Sequence, residues 1–417
     1  MADAARLNAH ALGPGSDLLE EWRDAGLRTP DREAVQHYRI DRLRAQLVAN
    51  RCDGALLYDP VNIRYATDTT NMSLWTMHNQ VRYVFVATSG PVILFEFSGA
   101  DFLDMHSQVI DEIRPGRSFI HFYSGPRTAE IADYWAAEIA DLVQEHGRGD
   151  RRLAVDVVDL VGIRALESKG LVLVPAMPLM EEARSIKSAE EIQAMRCAVH
   201  AANLSVRDMH DKLVPGATEI DLWTALQSAN SERFGEWLET RLLSSGPRTN
   251  PWYQEASVRR IERGDLVAFD TDLIGSFGMC VDFSRTWLCD RDTPDPFQAD
   301  VYSLALEQME RNIPLHVAGA TLREITERAW YPSIERYNHY TCISHGVGLC
   351  DEYPVVYSRE EWNDVGYDGV LEPGMVMSIE AFVGLRHGHE GVKLEQQVLI
   401  TEHGNEVLTR YPLSLTR

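Results

Sequence analysis

Hydrophobic positions in the first 180 residues switch between helical spacing and short runs that are apolar throughout. From Asp31 onward, Val35, Tyr38, Leu43 and Leu47 recur along one helical pattern. Gly54 then precedes Ala55-Leu56-Leu57-Tyr58, a run of buried-strand type. Two more strands are predicted at Tyr83–Ala87 and residues 92–97, with Ser89-Gly90-Pro91 as the turn between them. Between Thr128 and His146, the residues Ile131, Tyr134, Trp135, Ile139, Leu142 and Val143 predict a helix that Gly147 ends. Residues 153–157 return to a strand pattern. This alternation makes residues 1–180 an α/β domain. Its first 30 residues, polar and broken by Gly and Pro, are expected to form an extended arm.

The pattern breaks at residues 175–184, where Pro175, Pro178 and a charge cluster interrupt it. Ser188 then stands as a helix N-cap, with Glu191 placed to complete a capping box. Ile192, Met195, Val199, Val206, Met209 and Leu213 continue as a long amphipathic helix. Helices are also predicted over 219–234 and 296–316, and the remainder is strand-rich. Residues 181–417 therefore read as a second domain, of α+β class. No fixed-period repeat or low-complexity tract is present.

A chain of 417 residues exceeds one ordinary core, which agrees with two domains. With 45% hydrophobic and 25% charged residues it has a globular composition. No apolar run approaches the roughly 20 residues that span a bilayer. Met1-Ala2-Asp3-Ala4-Ala5-Arg6 lacks the apolar segment of a secretory signal. The net charge of −23 argues against nucleic acid or an anionic membrane as partner. Six cysteines form no CxxC pair, and are expected to be reduced thiols in a cytoplasmic protein.

The chemistry concentrates in the last third. Val267-Ala268-Phe269-Asp270-Thr271-Asp272 reads as a strand, Gly275-Ser276 as a turn, and Cys280-Val281-Asp282-Phe283-Ser284-Arg285 as the returning strand. Strict alternation puts Asp270 and Asp272 on one face, with Asp282 opposite them. Met377-Ser378-Ile379-Glu380-Ala381 and Lys393-Leu394-Glu395-Gln396 each set a Glu among apolar neighbours. In Ser344-His345-Gly346-Val347-Gly348, glycines let the backbone approach a ligand closely beside an imidazole. Taken singly, each of these is an ordinary surface or core residue. Together they are five acids and one His on short apolar strands, and buried carboxylates are costly unless paired or bound to cations. With lysine scarce nearby, the expectation is two divalent metal ions. An oxygen-rich set with one imidazole suits manganese, iron, cobalt or zinc.

The spaced Asp…Asp…His-Gly-Val-Gly…Glu…Glu resembles the pita-bread metallopeptidase superfamily of methionine aminopeptidase, prolidase and creatinase. Asp59-Pro60-Val61-Asn62-Ile63-Arg64-Tyr65-Ala66-Thr67 resembles the N-domain signature of creatinase and prolidase, and Arg184-Ser185-Ile186-Lys187-Ser188-Ala189-Glu190-Glu191-Ile192 their interdomain entry helix. The resemblance implies a creatinase-like N-terminal domain over 1–180 and a pita-bread di-metal domain over 181–417. It implies that Asp282 and Glu395 bridge the metals, and that His345 and Glu380 bind one of them. Asp270, Asp272 or both complete the set.

Two histidines of the peptidases are missing. None occurs in Ser245-Gly246-Pro247-Arg248-Thr249-Asn250-Pro251-Trp252, and Asp351 stands where the second is expected. In these features the chain resembles the dimethylsulfoniopropionate (DMSP) lyases of the superfamily. That likeness implies a metal-dependent lyase, with iron first among the metals and a small zwitterionic substrate. Asp351 is then the general base and Tyr340 assists. Trp75, His78, Trp252, Tyr253 and Tyr340 become the substrate-binding candidates, because aromatic faces attract a sulfonium. For Trp287 ordinary core packing is the favoured reading. A homodimer is implied, the N-terminal domain of one subunit closing the other's site. The competing readings are a hydrolase of small C–N bonds, of prolidase, creatinase or ectoine-hydrolase type, and a catalytically silent binding module.

Overall fold

The computed structural model describes residues 14–416. Two compact units divide the described chain, one spanning Asp31–Arg184 and the other residues 14–30 with 185–416. Part of the expected arm is instead helical. Ser16–Asp24 forms a helix whose Leu18 and Trp22, four residues apart on one face, are buried in a cluster with Cys197 of the second unit. The rest of the arm, residues 1–13, lies outside the described residues.

The first unit is built on a six-stranded sheet in the order β4-β3-β2-β1-β5-β6. Its strands are β1 (Gly54–Leu57), β2 (Tyr83–Ala87), β3 (Val92–Glu96), β4 (Glu112–Pro115), β5 (Arg152–Val155) and β6 (Val172–Pro175). β1 and β2 are apolar throughout because every position on them is buried. Tyr83, Phe85 and Ala87, alternate residues of β2, pack in one cluster with Trp135, Ile139 and Val143 of the helix Thr128–His146. The helix Pro60–Thr67 starts where Asp59 accepts hydrogen bonds from the Val61 and Asn62 amides, with Pro60 preset for its first turn.

The second unit opens with the helix Ala189–His210, whose Ser188–Glu191 capping box is formed in both directions. Such a cap contributes about 1 kcal/mol. Short strands follow: β7 (Trp237–Leu238), β8 (Leu243–Ser245), β9 (Leu266–Asp270), β10 (Leu273–Ile274), β11 (Cys280–Val281) and β12 (Ser284–Leu288). They form two three-stranded sheets, β11-β10-β7 and β12-β9-β8. Then come β13 (Tyr337–Asn338), β14 (Cys342–Val347), β15 (Asp351–Tyr357), β16 (Val376–Leu385), β17 (Gly391–Thr401) and β18 (Gly404–Val407). Five of these run in the order β15-β14-β16-β17-β18, and β13 pairs with β16.

Alternation along the two long strands positions the chemistry. Ile379, Ala381 and Val383 of β16 and Val392, Leu394 and Val398 of β17 pack with Val301, Ala305 and Met309 of the helix Pro296–Asn312. Residues of the opposite parity, Glu380 on β16 with Lys393 and Glu395 on β17, therefore project from the other face. Burying each of the larger of those side chains, Ile, Val, Leu and Met, contributes about 1.5–3 kcal/mol, so the sheet's register is fixed on the greasy face and imposed on the charged one.

Candidate metal centre

Glu380 and Glu395 are direct cross-strand partners in the β16–β17 register, and His345 on β14 pairs with Ser378 of β16. The aspartates reach the same place from the other sheets. β9 ends at Asp270, which pairs with Ser284 of β12, while Leu273 pairs with Val281 one step further on. Asp272 and Asp282 occupy the break between these paired segments. Strict strand alternation does not carry Asp272 there, because its φ of 36° takes it off the strand into the left-handed region. The carboxylates still converge. Ligand atoms of Asp270, Asp272 and Asp282 lie within 4.8 Å of one another, as do those of Asp282, His345 and Glu395.

His345 Nδ1 lies 3.1 Å from the Gly346 carbonyl, which can only accept, so this nitrogen carries the hydrogen. Nε2 is left facing Asp282, Glu380 and Glu395 at 3.4, 3.6 and 3.8 Å. Burial lowers the affinity of His345 for a proton, yet Asp351, Asp282 and Glu380 outweigh it and raise its pKa. Burial and then the neighbouring Glu395 and Asp272 raise that of Asp282. Asp272 is pushed up to about 7 by burial and by Asp270, against the Thr240 hydroxyl that donates to it at 2.7 Å. Each shift expresses the same shortage of positive charge.

One protein cation, Lys393, does reach the cluster, and one is too few to neutralise it, as the scarcity of lysine implies. Its Nζ lies 2.9 Å from Asp270, 2.7 Å from Glu380 and 2.8 Å from Glu395, and the side chain is fully buried. Desolvation alone lowers its pKa, but these three carboxylates outweigh that and raise it. The signal was present in the sequence: Lys393 stands two residues before Glu395, on the same face of a strand. Asp270, Asp272, Asp282, Glu380 and Glu395 carry five negative charges, and Lys393 cancels one. Four remain, which two divalent cations balance. Asp282 Oδ1 and Glu395 Oε1 are buried without a hydrogen-bond partner. An unsatisfied buried acceptor costs about 1–3 kcal/mol, and coordination to a metal would remove that cost. The residues fit a metal pair.

A cavity of about 390 Å³ opens over this cluster, lined by Asp270, Asp272, Asp282, His345, Glu380, Asp351, Tyr253 and Tyr340 among others. Asp351 begins β15, with 56% of its side chain exposed and Oδ1 3.7 Å from His345 Nδ1. Enclosure in the cavity pushes its carboxyl up to about 7, assisted by Asp272, Glu395 and Asp270 and opposed by His345. Tyr253, 62% exposed with φ +70°, sets its ring 5.5 Å from that of Tyr340. Trp252 is not brought to the cavity. It is buried, 6.0 Å from the Phe382 ring, with Lys393 Nζ 5.6 Å from its own ring. Trp287 is core, stacked 3.9 Å from the His210 ring. Trp75 and His78 belong to the first unit, on the helix Ser73–His78, where both are exposed.

Residues 39–186 match the Creatinase/Prolidase N-terminal domain, and residues 193–402 match metallopeptidase family M24, to which the chain belongs. Within it, the chain is 42% identical to the dimethylsulfoniopropionate lyase DddP of Roseovarius nubinhibens over 412 residues, covering 97% of this chain and 92% of that one. The DddP of Roseobacter denitrificans is 40% identical over the same shares. Among solved structures, the Xaa-Pro dipeptidase from Bacillus anthracis superposes with a TM-score of 0.73 at 25% identity, over 91% of this chain and 98% of that one. The prolidase from Pyrococcus horikoshii, at 21% identity, gives 0.72 over 90% and 99%. The expected order, a creatinase-type N-terminal domain before a pita-bread catalytic domain, is the order found.

Proposed function

We propose that this protein is a metal-dependent lyase that cleaves DMSP to dimethyl sulfide and acrylate, with Asp351 as general base. The observation that carries the reading is the Asp351 carboxylate at the mouth of the acidic cavity, beside His345, in a chain 42% identical to a lyase of that name.

Asp270, Asp272, Asp282, His345, Glu380 and Glu395 would hold two divalent ions, iron by the resemblance. Bound there, the ions supply positive charge that acidifies the proton next to a substrate carboxylate. Asp351 accepts that proton from the α-carbon. The C–H electron pair becomes the new C=C bond, and the Cβ–S bond breaks with its electrons leaving on sulfur as neutral dimethyl sulfide. Tyr253 and Tyr340 present ring faces to the sulfonium, at about 0.5–2 kcal/mol each.

The homodimer and the roles of Trp75 and His78 belong to the same proposal. Met72, Leu74, Trp75 and Met77 are all exposed about the helix Ser73–His78, an apolar surface suited to a second copy of the chain. None of the six cysteines is in a disulfide, which fits the reducing cytoplasm, and no helix of the described residues is long and apolar enough to cross a membrane. Incubating the metal-loaded protein with DMSP and following acrylate by proton NMR tests the function. Absence of acrylate overturns it.

A further inference from the structure

Asp351 is followed by a residue that faces the opposite way. Along β15 burial alternates, so that Asp351 is exposed and Glu352 buried. Glu352 is 5% exposed, and its carboxylate forms an ion pair with the Nζ of Lys187, itself 7% exposed. Lys187 Nζ also donates to the Ser185 carbonyl at 3.2 Å, and its amide donates to the Gly374 carbonyl at 3.0 Å. The lysine is thus fixed from two sides before it meets Glu352.

Two glycines make room for this arrangement. A Cβ on Gly348 would lie 2.4 and 2.6 Å from the Glu352 carboxylate oxygens. One on Gly346 would lie 2.4 Å from the Tyr353 carbonyl and 2.7 Å from that of Glu352. Any side chain at 348 would push Glu352 off Lys187. The register between β14 and β15 also shifts between His345 and Gly346, so the regular ladder alone does not set the height of Asp351 relative to His345. A buried, hydrogen-bonded ion pair one residue away can.

We infer that the Lys187–Glu352 pair is a positioning device, holding the start of β15 so that the Asp351 carboxylate stays over the metal centre. This rests on the proposed role of Asp351 as base. Neither member of the pair lines the cavity or belongs to the proposed ligand set, so its effect belongs in turnover and not in substrate or metal affinity. Misplacing a reacting group by about 1 Å costs up to about 100-fold in rate.

Lys187→Met and the doubly neutral Lys187→Met/Glu352→Gln, which leaves no buried charge unpaired, are the variants to make, with Lys187→Arg as the conservative control. Both neutralised proteins should lose about 10- to 100-fold in kcat with KM and metal content unchanged, and Lys187→Arg should recover most of the loss. Amide hydrogen exchange should quicken in the peptide carrying residues 349–353 and stay unchanged in β16 and β17. An unchanged kcat, or a parallel loss of KM and metal content, overturns the inference, as does unaltered exchange at 349–353. Exchange needs no substrate, so a parent protein inactive on DMSP overturns the function while the lock is still judged.

Discussion

Glu380 and Glu395 face each other across β16 and β17 in direct register, and one ammonium group, Lys393 Nζ, lies within 2.8 Å of both. Two carboxylates so close repel, and the lysine holds them together whether or not metal is bound. Lys393→Met should therefore destabilise the metal-free protein most. Removing one member of a buried ion cluster costs about 3–5 kcal/mol. Urea unfolding with chelator present should show a loss of that order, narrowing when divalent metal is restored. Equal losses with and without metal would count against this role.

Ser284 links the same groups. Its hydroxyl accepts from Lys393 at 2.7 Å and has one hydrogen to give, to Asp270 at 2.7 Å or Glu395 at 2.8 Å. Orienting partners of metal ligands typically contribute 10- to 100-fold in affinity. Ser284→Ala should weaken metal binding by about that factor, read by competition with a chromogenic chelator, and leave the fold intact.

Local signals in the sequence were legible where their partners lie within one turn or one strand. The Ser188–Glu191 box and the helix Thr128–His146 are both formed as the spacing predicts. The convergence of Asp270, His345, Glu380 and Glu395 was also readable, since apolar neighbours force each onto a definite strand face, and Asp282 lies between two short strands that fix its place. Asp272 arrives by another route, because a residue leaving its strand at φ 36° escapes a period-2 argument. Trp252 was assigned by its chemistry, and chemistry does not say which aromatic is covered by Phe382. The helix of Leu18 and Trp22 shows in their four-residue spacing, which the surrounding polar residues obscure.

Asp351→Asn keeps shape and polarity but removes the basic lone pair. If Asp351 takes the proton, turnover of DMSP should fall by about 10²- to 10⁴-fold. Metal content should be unchanged, because the asparagine replaces no proposed ligand. Acrylate release under saturating substrate, beside metal analysis of the same sample, is the measurement. A variant that keeps more than about a tenth of the parental kcat has lost too little for a general base.

His316 gives the second unit an acid-sensitive point apart from the metal cluster. It is fully buried, its Nδ1 donating to the Asn312 carbonyl at 2.9 Å and its Nε2 accepting from the Ser344 hydroxyl at 2.7 Å. Burial lowers its pKa to about 4, and the Asn312 contact offsets this only in part. An unfolded histidine titrates near 6.5. Below that pH the unfolded chain binds a proton that the folded one refuses, so stability is full above about 6.5 and declines as pH falls toward 4. Between pH 7.5 and 5 the loss from this residue is about 2 kcal/mol. His316→Gln, less stable at neutral pH for its altered packing, should lack this slope. The gap in unfolding free energy between the two proteins should therefore narrow by about 2 kcal/mol on acidification across that range. Parallel pH profiles would mean that His316 takes up its proton at the same pH folded as unfolded, and would overturn this assignment.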